Sequence, residues 1–560
     1  MRTGALACTL LAMLASAAGQ AVAQPLRGPG DDALTLSRRT VRVVLGTSIT
    51  DASHRYGRGT AGRADGALEP LGIDFSSDTL GVAQFPGLAS AQAALRTLTG
   101  NNAFTLNLGR TQLSSSVRTQ VTPILLEAGI TSRLQVSVMV PLVSARNEAS
   151  LNINGGTPGG NVGVNPIRSG TAGVRDSAST TNGTLVSELN SAASQLSTLI
   201  GQCTADPAFN AQCPTILANG PTITAGTTAF LDAFTVLYGS LPNRGAVVVP
   251  SVGGAADSAI RNRISTFRSQ YAALGVTALN AAGPTRAPAF TPATLLRVTS
   301  DSTLGLLVQP IRTITRQGIG DIEIGAKFRL FDAFGGSDTT RFLPRGLSLR
   351  QSVGAAFRAG TGTIDAPDHF LDVGTGDGQN DVEVRSFTDV LYGRRFFGSV
   401  VGRYTMQLPD QPVRRITGTP EDVWAPAYRQ QVVDRNLGDV LEVEFTPRWV
   451  VSDNFAFAAQ YLFRHKGEDR HTGTYLVPVT LSGLDAPLPL DASTLDAQTG
   501  GSEQRLGWGF TYSTMATRAR GRTRLPIEVQ YFNSRTVAGR GGLIQKISVH
   551  QFQLRFYPRS

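Results

Sequence analysis

Nowhere inside the 560 residues is there a run of about 18 apolar residues, the least that carries a helix across a bilayer. A helical membrane protein is therefore excluded, although 41% of the chain is hydrophobic. Histidine is scarce as well: His54, His369, His465, His471 and His550 are scattered, and none opens a His-Glu-x-x-His sequence. With no Gly-x-Ser-x-Gly either, the two best-defined hydrolase signatures are missing, and no enzyme is expected. There are only three cysteines, and no histidine stands near Cys203 or Cys213. A zinc centre is not expected there, nor any cofactor elsewhere. Glycine is plentiful, yet no glycine-rich run follows a strand and opens a helix, which a phosphate-binding loop requires. The net charge is +10, but the arginines are spread along the chain rather than clustered. That pattern argues against nucleic acid as a partner.

What is present begins at the N-terminus. Met1-Arg2, an apolar run from Leu6 to Ala15, and Ala21-Val-Ala23 have the order of a signal peptide, assigned to residues 1–23. Cys8 sits inside the apolar run, too early for a lipoprotein signal. Export makes a disulfide the natural state of Cys203 and Cys213, which are separated by nine residues.

The most informative stretch is Gln317–Phe331. Ile322, Ile324, Ala326, Phe328 and Leu330 alternate with Asp321, Glu323, Lys327 and Arg329. A period of two puts the sets on opposite faces of a strand. In a soluble sandwich the apolar face would be core; in a transmembrane barrel it meets lipid while the charged face lines the lumen. The connections decide. Similar patterns start at Thr40, Ser115 and Leu134 and then recur from Leu347 to Tyr557, giving about twelve strands. Short links near 129–132, 392–395, 451–454 and 516–522, with a medium one at 332–345, alternate with long ones near 51–114, 144–318, 359–380, 409–436 and 467–502; the short link at 536–542, on the long-loop side, is the exception. An even number of strands with short turns at one end and long loops at the other is the outer-membrane pattern. The expected fold is an all-β transmembrane antiparallel barrel of about twelve strands in the outer membrane of a Gram-negative-type envelope. It consists of first strands in residues 24–146, a partly helical insert at 147–318 and the remaining strands in 319–560. Within the insert, Leu185–Leu199, Thr227–Tyr238 and Ile260–Leu274 have helical spacing, as does Ala89–Leu98 before it.

An Arg or Lys facing lipid at the bilayer midplane costs roughly 2–4 kcal/mol. Asp321, Glu323, Lys327, Arg329, Arg350, Glu442, Glu444 and Arg448 are therefore expected to line the lumen. Trp449, Tyr461, Trp508, Tyr512, Tyr531 and Tyr557 fall mostly towards strand ends, as interface girdles do. The closing strand, from Ile547, loses its phase around Val549–Phe552, which predicts a bulge. Outer-membrane lipid, lipopolysaccharide and the barrel-assembly machinery are the expected partners. Loop 365–383 holds six carboxylates among glycines. A calcium site there lacks the helix-loop-helix spacing, and a solvated acidic loop is the expectation.

Leu126–Pro141, with its glycine turn and terminal proline, resembles a hairpin of outer-membrane barrels assigned as transporters of the meta-pathway of phenol degradation. Gly318–Arg329 resembles the glycine-aspartate strand of that family, and Ala359–Gly362 with Asp372–Gly376 resemble its next loop. The usual Pro-Thr-Gly of that loop is absent. The family is distantly similar to the long-chain fatty-acid transporter barrels. The resemblance implies passive uptake of a small hydrophobic or aromatic solute, with the insert as plug or cap. The alternative is a structural or adhesive barrel that displays the insert without transport.

Overall fold

The computed structural model describes residues 31–57, 64–154, 159–300, 306–333, 347–393, 395–420, 422–452, 454–482, 486–514 and 527–558. The expected signal peptide and the links at 334–346 and 515–526 lie outside them. Twelve antiparallel strands close a barrel: β1 Val41–Tyr56, β2 Thr111–Gly129, β3 Leu134–Ile153, β4 Ile314–Ile319 with Ile322–Asp332, β5 Leu347–Ala359, β6 Asp381–Tyr392, β7 Phe396–Gln407, β8 Val440–Val450, β9 Phe455–Lys466, β10 Gly501–Ser513, β11 Ile527–Arg540 and β12 Ile544–Phe556. Each pairs with its sequence neighbours, and β1 joins both β12 and β2, so no edge is left for lipid to desolvate.

The exterior is apolar. Ile324, Phe328, Val353, Phe357, Val443 and Phe445 are all exposed, while the residues between them are mostly buried. In a water-soluble protein this arrangement would be inside out. An even-stranded closed barrel with an apolar outer band is a transmembrane barrel of the outer-membrane type. Among the described residues no helix is long and apolar enough to span a bilayer.

Strands β8 and β9 have 11 and 12 residues, about what a tilted strand needs to cross the membrane. By contrast, β2 and β3 have 19 and 20. Their hairpin continues above the lipid, and its outward residues there are polar, with Arg118 directly opposite Arg146. The apolar/polar sense of β2 is accordingly reversed along this part. Arg118, Gln120 and Thr122 face out, while Val117, Val121 and Leu125 share the inward face with the buried Thr119 and Pro123. No bulge interrupts β12 at Val549–Phe552: its register with β1 runs evenly from Phe556↔Val43 to Ile547↔Ala52. The phase changes because Ile547 and Val549 point inward and pack with Ala52.

Between β3 and β4 the chain builds α2 Ala172–Ala205, α3 Cys213–Leu237, α4 Ala255–Ala273 and α5 Pro292–Thr299; α1 Ala89–Thr99 precedes β2. Their apolar stripes, including Leu185, Leu189, Phe230, Ile260 and Phe267, are buried in a core of their own. That core also takes in Leu113 of β2 and Leu151 and Ile153 of β3, so the helical unit sits on the extracellular end of that hairpin as a cap. Trp424, from the β7–β8 loop, enters the same core, with ring centroids 5.3 Å from Phe75 and 5.5 Å from Phe85. Cys203, in the last turn of α2, and Cys213, at the first residue of α3, form the disulfide that ties the two helices at one end. A loop of ten residues closed in this way contributes about 2–3 kcal/mol. Cys203→Ser combined with Cys213→Ser is expected to lower the denaturant midpoint of the cap, followed by the fluorescence of Trp424, while barrel heat-modifiability stays unchanged.

Candidate functional site: the barrel interior

A strand of β-barrel wall has one face for lipid and one for the lumen, so the interior is read from the buried residues of each strand. Two kinds of wall result. On β4 to β11 the inward positions carry charge. Arg385 of β6 donates to Glu323 of β4 at 2.7 Å and pairs with Glu383 two residues before it. Arg358 of β5 reaches Asp381 at 2.8 Å and Glu383 at 3.6 Å. Arg403 of β7 holds Glu442 at 2.6 Å and Glu444 at 3.0 Å, both on β8. Arg505 pairs with Glu503, which also accepts from Thr536 at 2.7 Å. A buried ion needs such partners, because an uncompensated charge out of water costs several kcal/mol.

The remaining wall, β12 to β3, also holds charge pairs, Arg42 with Glu127 and Arg555 with Glu528, but it carries apolar groups as well. Val44 of β1, Leu125 of β2 and Met139 of β3 pack together, and higher up Val117, Val121, Val143 and Ala145 form a second group. Ile547 and Val549 pack with Ala52 as a third group, so β12, β1, β2 and β3 carry separate apolar patches inside, set among the buried Thr119, Glu127, Gln135, Asn147 and Arg555. Val117 and Val121 keep partial exposure although they point inward.

The periplasmic half of the lumen is filled by the chain's own N-terminal segment. Ala33 is completely buried: its N–H donates to Asp389 at 2.9 Å and its carbonyl accepts from Ser352 at 2.5 Å. Lys327 donates to the Asp32 carbonyl at 2.5 Å and lies 4.1 Å above the Phe387 ring. The Leu36 N–H donates to Gln135 at 3.0 Å, and Asp31 lies 3.5 Å from Arg403.

The extracellular mouth is covered by residues 360–380, the β5–β6 loop. It docks where β4 is interrupted. Pro141 of β3 has no N–H to give, and the β3–β4 ladder skips from Leu142↔Ile319 to Met139↔Glu323. The chain opens a notch at Gly320-Asp321. Into it fit Thr361, which accepts from the Ile322 N–H at 3.1 Å, and Thr375, which donates to the Ile319 carbonyl at 2.7 Å. Asp321 accepts from the Gly362 N–H at 2.9 Å. A Cβ added at Gly376 would come within 2.7 Å of the same carboxylate, so this approach requires glycine. Val373 covers Val143 and Ala145 in the upper apolar group.

Three of the loop's carboxylates, expected to be solvated, are held instead. Asp372 pairs with Arg316 of β4 at 2.9 Å, Asp365 with Arg414 at 3.1 Å and Asp368 with Arg415 at 2.5 Å. Burial would raise Asp372, but the Arg316 guanidinium and the N–H groups of Ala366 and Val373 outweigh it and hold the carboxyl below its usual value. This contact is therefore complete at neutral pH and is lost only as pH falls below the ordinary carboxylate range. Among the described residues no group of three or more His, Cys, Asp or Glu is arranged to hold a metal ion.

Of the eight residues expected to line the lumen, Asp321, Glu323, Lys327, Arg350, Glu442, Glu444 and Arg448 are buried and turn inward, and Arg329 stands at the periplasmic end bonded to Asp332 and the Ser132 carbonyl. They are not brought to one place. Asp321 belongs to the notch, Lys327 and Arg350 surround the plug, and Glu442 and Glu444 share Arg403. Sequence reasoning missed Arg385, Arg403 and Asp389. These three lie on strands whose outward residues are mixed with Gly, Ser and Thr, which weakens the alternation. It also missed the apolar inner patches.

No protein-family model matches the chain, and no curated protein matches it. Solved structures similar to it include an outer membrane channel from Pseudomonas putida F1 (8% identity, 94% of this chain and 99% of that one, TM-score 0.40). Others are the toluene transporter TodX of P. putida (9%, 93% and 90%, TM-score 0.25) and the translocator domain of the autotransporter NalP of Neisseria meningitidis (7%, 93% and 90%, TM-score 0.28). The fold described above rests on the chain's own ladder of strand pairs.

Proposed function

We propose that this protein is a passive outer-membrane channel for small hydrophobic solutes, aromatic ones included. One observation carries the reading: the apolar patches on the inner faces of β12, β1, β2 and β3, with Val117 and Val121 still partly exposed inside the barrel. Charge pairing alone could brace a barrel, as it does between Arg385 and Glu323 and between Arg403 and Glu442. Apolar side chains facing a wet interior are not required for closure, and they offer a surface along which an apolar solute loses water at about 25 cal/mol per Å². The charged wall opposite keeps the lumen rigid, and its acids and bases neutralise one another. The eight residues singled out from the sequence act as this rigid wall rather than as solute ligands.

The reading is tested by uptake of a radiolabelled monoaromatic compound in a Gram-negative host, where lipopolysaccharide slows direct permeation. Val117→Thr with Val121→Thr keeps shape but adds two hydroxyls, each costing roughly 1–3 kcal/mol against an apolar contact. Uptake is expected to fall at least tenfold, with the amount of folded barrel unchanged. Uptake by the unaltered protein no greater than in host cells without it would sink the channel reading. It would leave the second one, a barrel that displays the cap, which the plugged periplasmic half favours.

A further inference from the structure

We propose that residues 360–380 are a latched strap: a lid over the upper apolar group at the extracellular end, held shut by the three carboxylate–guanidinium pairs Asp365–Arg414, Asp368–Arg415 and Asp372–Arg316. The inference rests on the channel reading and says how that channel is opened. The strap's two ends continue barrel strands β5 and β6, so only its middle can swing. That middle is held from two sides. Arg316 comes from β4, whereas Arg414 and Arg415 come from the β7–β8 loop. The underside is seated by Thr361 and Thr375 in the β4 notch, and Val373 lies on the upper apolar group.

The bonding explains why this is a lid and not a fixed loop. Apart from Val373, the contacts that seat it on the wall are polar: ion pairs and hydrogen bonds to backbone. Residues 362–371 are all at least partly exposed, whereas 373–376 and Gln379, next to the barrel, are buried. Phe370 is the one aromatic anchor, 5.9 Å from Trp424 and 6.0 Å from Phe75 across the cap core. Lifting the strap therefore exposes groups that water can satisfy, at a net loss near 0.5–1.5 kcal/mol for each hydrogen bond; Asp365–Arg414 is partly exposed on both sides, whereas the Asp372 and Arg415 side chains are buried and make the firmer latches. Once it is lifted, the upper apolar group faces the cell exterior.

A disulfide tests it without removing any latch. A Cβ placed on Gly318 of β4 stands 3.8 Å from the Cβ of Thr375, which is the usual separation in a disulfide. Gly318→Cys with Thr375→Cys, oxidised and confirmed by mass spectrometry, should lower uptake of the labelled monoaromatic at least tenfold. A membrane-impermeant reductant should restore it, while the unaltered protein, which carries only Cys203–Cys213 in its cap, is indifferent to the same treatment. Conversely, Asp365→Asn with Asp368→Asn and Asp372→Asn should raise uptake several-fold. If the cross-linked protein transports as fast as the unaltered one, the strap is not the lid although the channel stands. If the unaltered protein does not transport, the channel reading fails and takes the lid with it.

Discussion

Planar bilayers containing a variant in which Asp31–Leu36 is replaced by six Gly and Ser residues are expected to conduct ions roughly tenfold better than those containing the unaltered chain. The segment fills the periplasmic half of the lumen through specific contacts. Ala33 is fixed at both its N–H and its carbonyl, Leu36 by Gln135, and Asp31 between Arg403 and Lys327. A Gly/Ser segment keeps the chain length but has no carboxylate to offer Lys327 and no methyl to fill the space between Phe387 and Val401. Current should then cross the barrel whenever the strap lifts. Single-channel recording checks this: equal conductance with and without the segment would mean that the interior is closed by the charged wall alone.

The second large effect is on stability. Arg403 is the common partner of Glu442, Glu444 and Asp31, and it is 4% exposed. Arg403→Met keeps most of the volume and removes the charge. Three carboxylates would then face one another in a site closed to water. Breaking a buried pair by deleting one partner costs about 3–5 kcal/mol, and here more than one acid is stranded. The heat at which the folded barrel converts to the slow-migrating form in detergent gels should drop markedly. Adding Glu442→Gln and Glu444→Gln to the same protein should recover much of the loss. Should the single change leave that temperature where it was, water must reach these carboxylates and the interior is more open than the burial of Arg403 implies.

Much of the barrel is legible in the amino-acid sequence. Alternation in β4, β5 and β8 is clean because every outward residue meets lipid and the inward ones are mostly polar, so one period fixes both faces. The strand count follows from that and from the alternation of link lengths. β2 is harder, since its upper half rises out of the membrane and water lies on its outer side. The rule that charge points inward fails there, and Val117 and Val121, whose pattern reads as lipid contact, form the inner wall. The helices of the cap are visible through Leu185, Leu196, Phe230 and Phe267, although α2 and α3 extend well beyond the apolar stripes, through Thr- and Ser-rich turns. The plug is out of reach, because Asp31-Asp-Ala-Leu-Thr-Leu36 has no periodicity and its contacts lie 97 to 356 residues away in the chain. The strap is hidden for a similar reason. Its acidic residues stand out, but their arginines belong to β4 and to the β7–β8 loop. The residues that carry the resemblance, Pro141, Gly318 and Asp321 among them, are those that cut and fill the notch in β4.

The plug is joined to β1 by only Ser37–Thr40, and that link is itself pinned, with the Arg39 N–H on the Gly129 carbonyl. So short a tether keeps the plug at an effective concentration in the millimolar range or above beside its own binding surface. A free solute at micromolar levels cannot compete it out by mass action. The inner end of this barrel therefore responds to a pull or a shift of the segment from the periplasmic side, whereas the outer end can respond to what is dissolved outside. The two ends answer to different compartments.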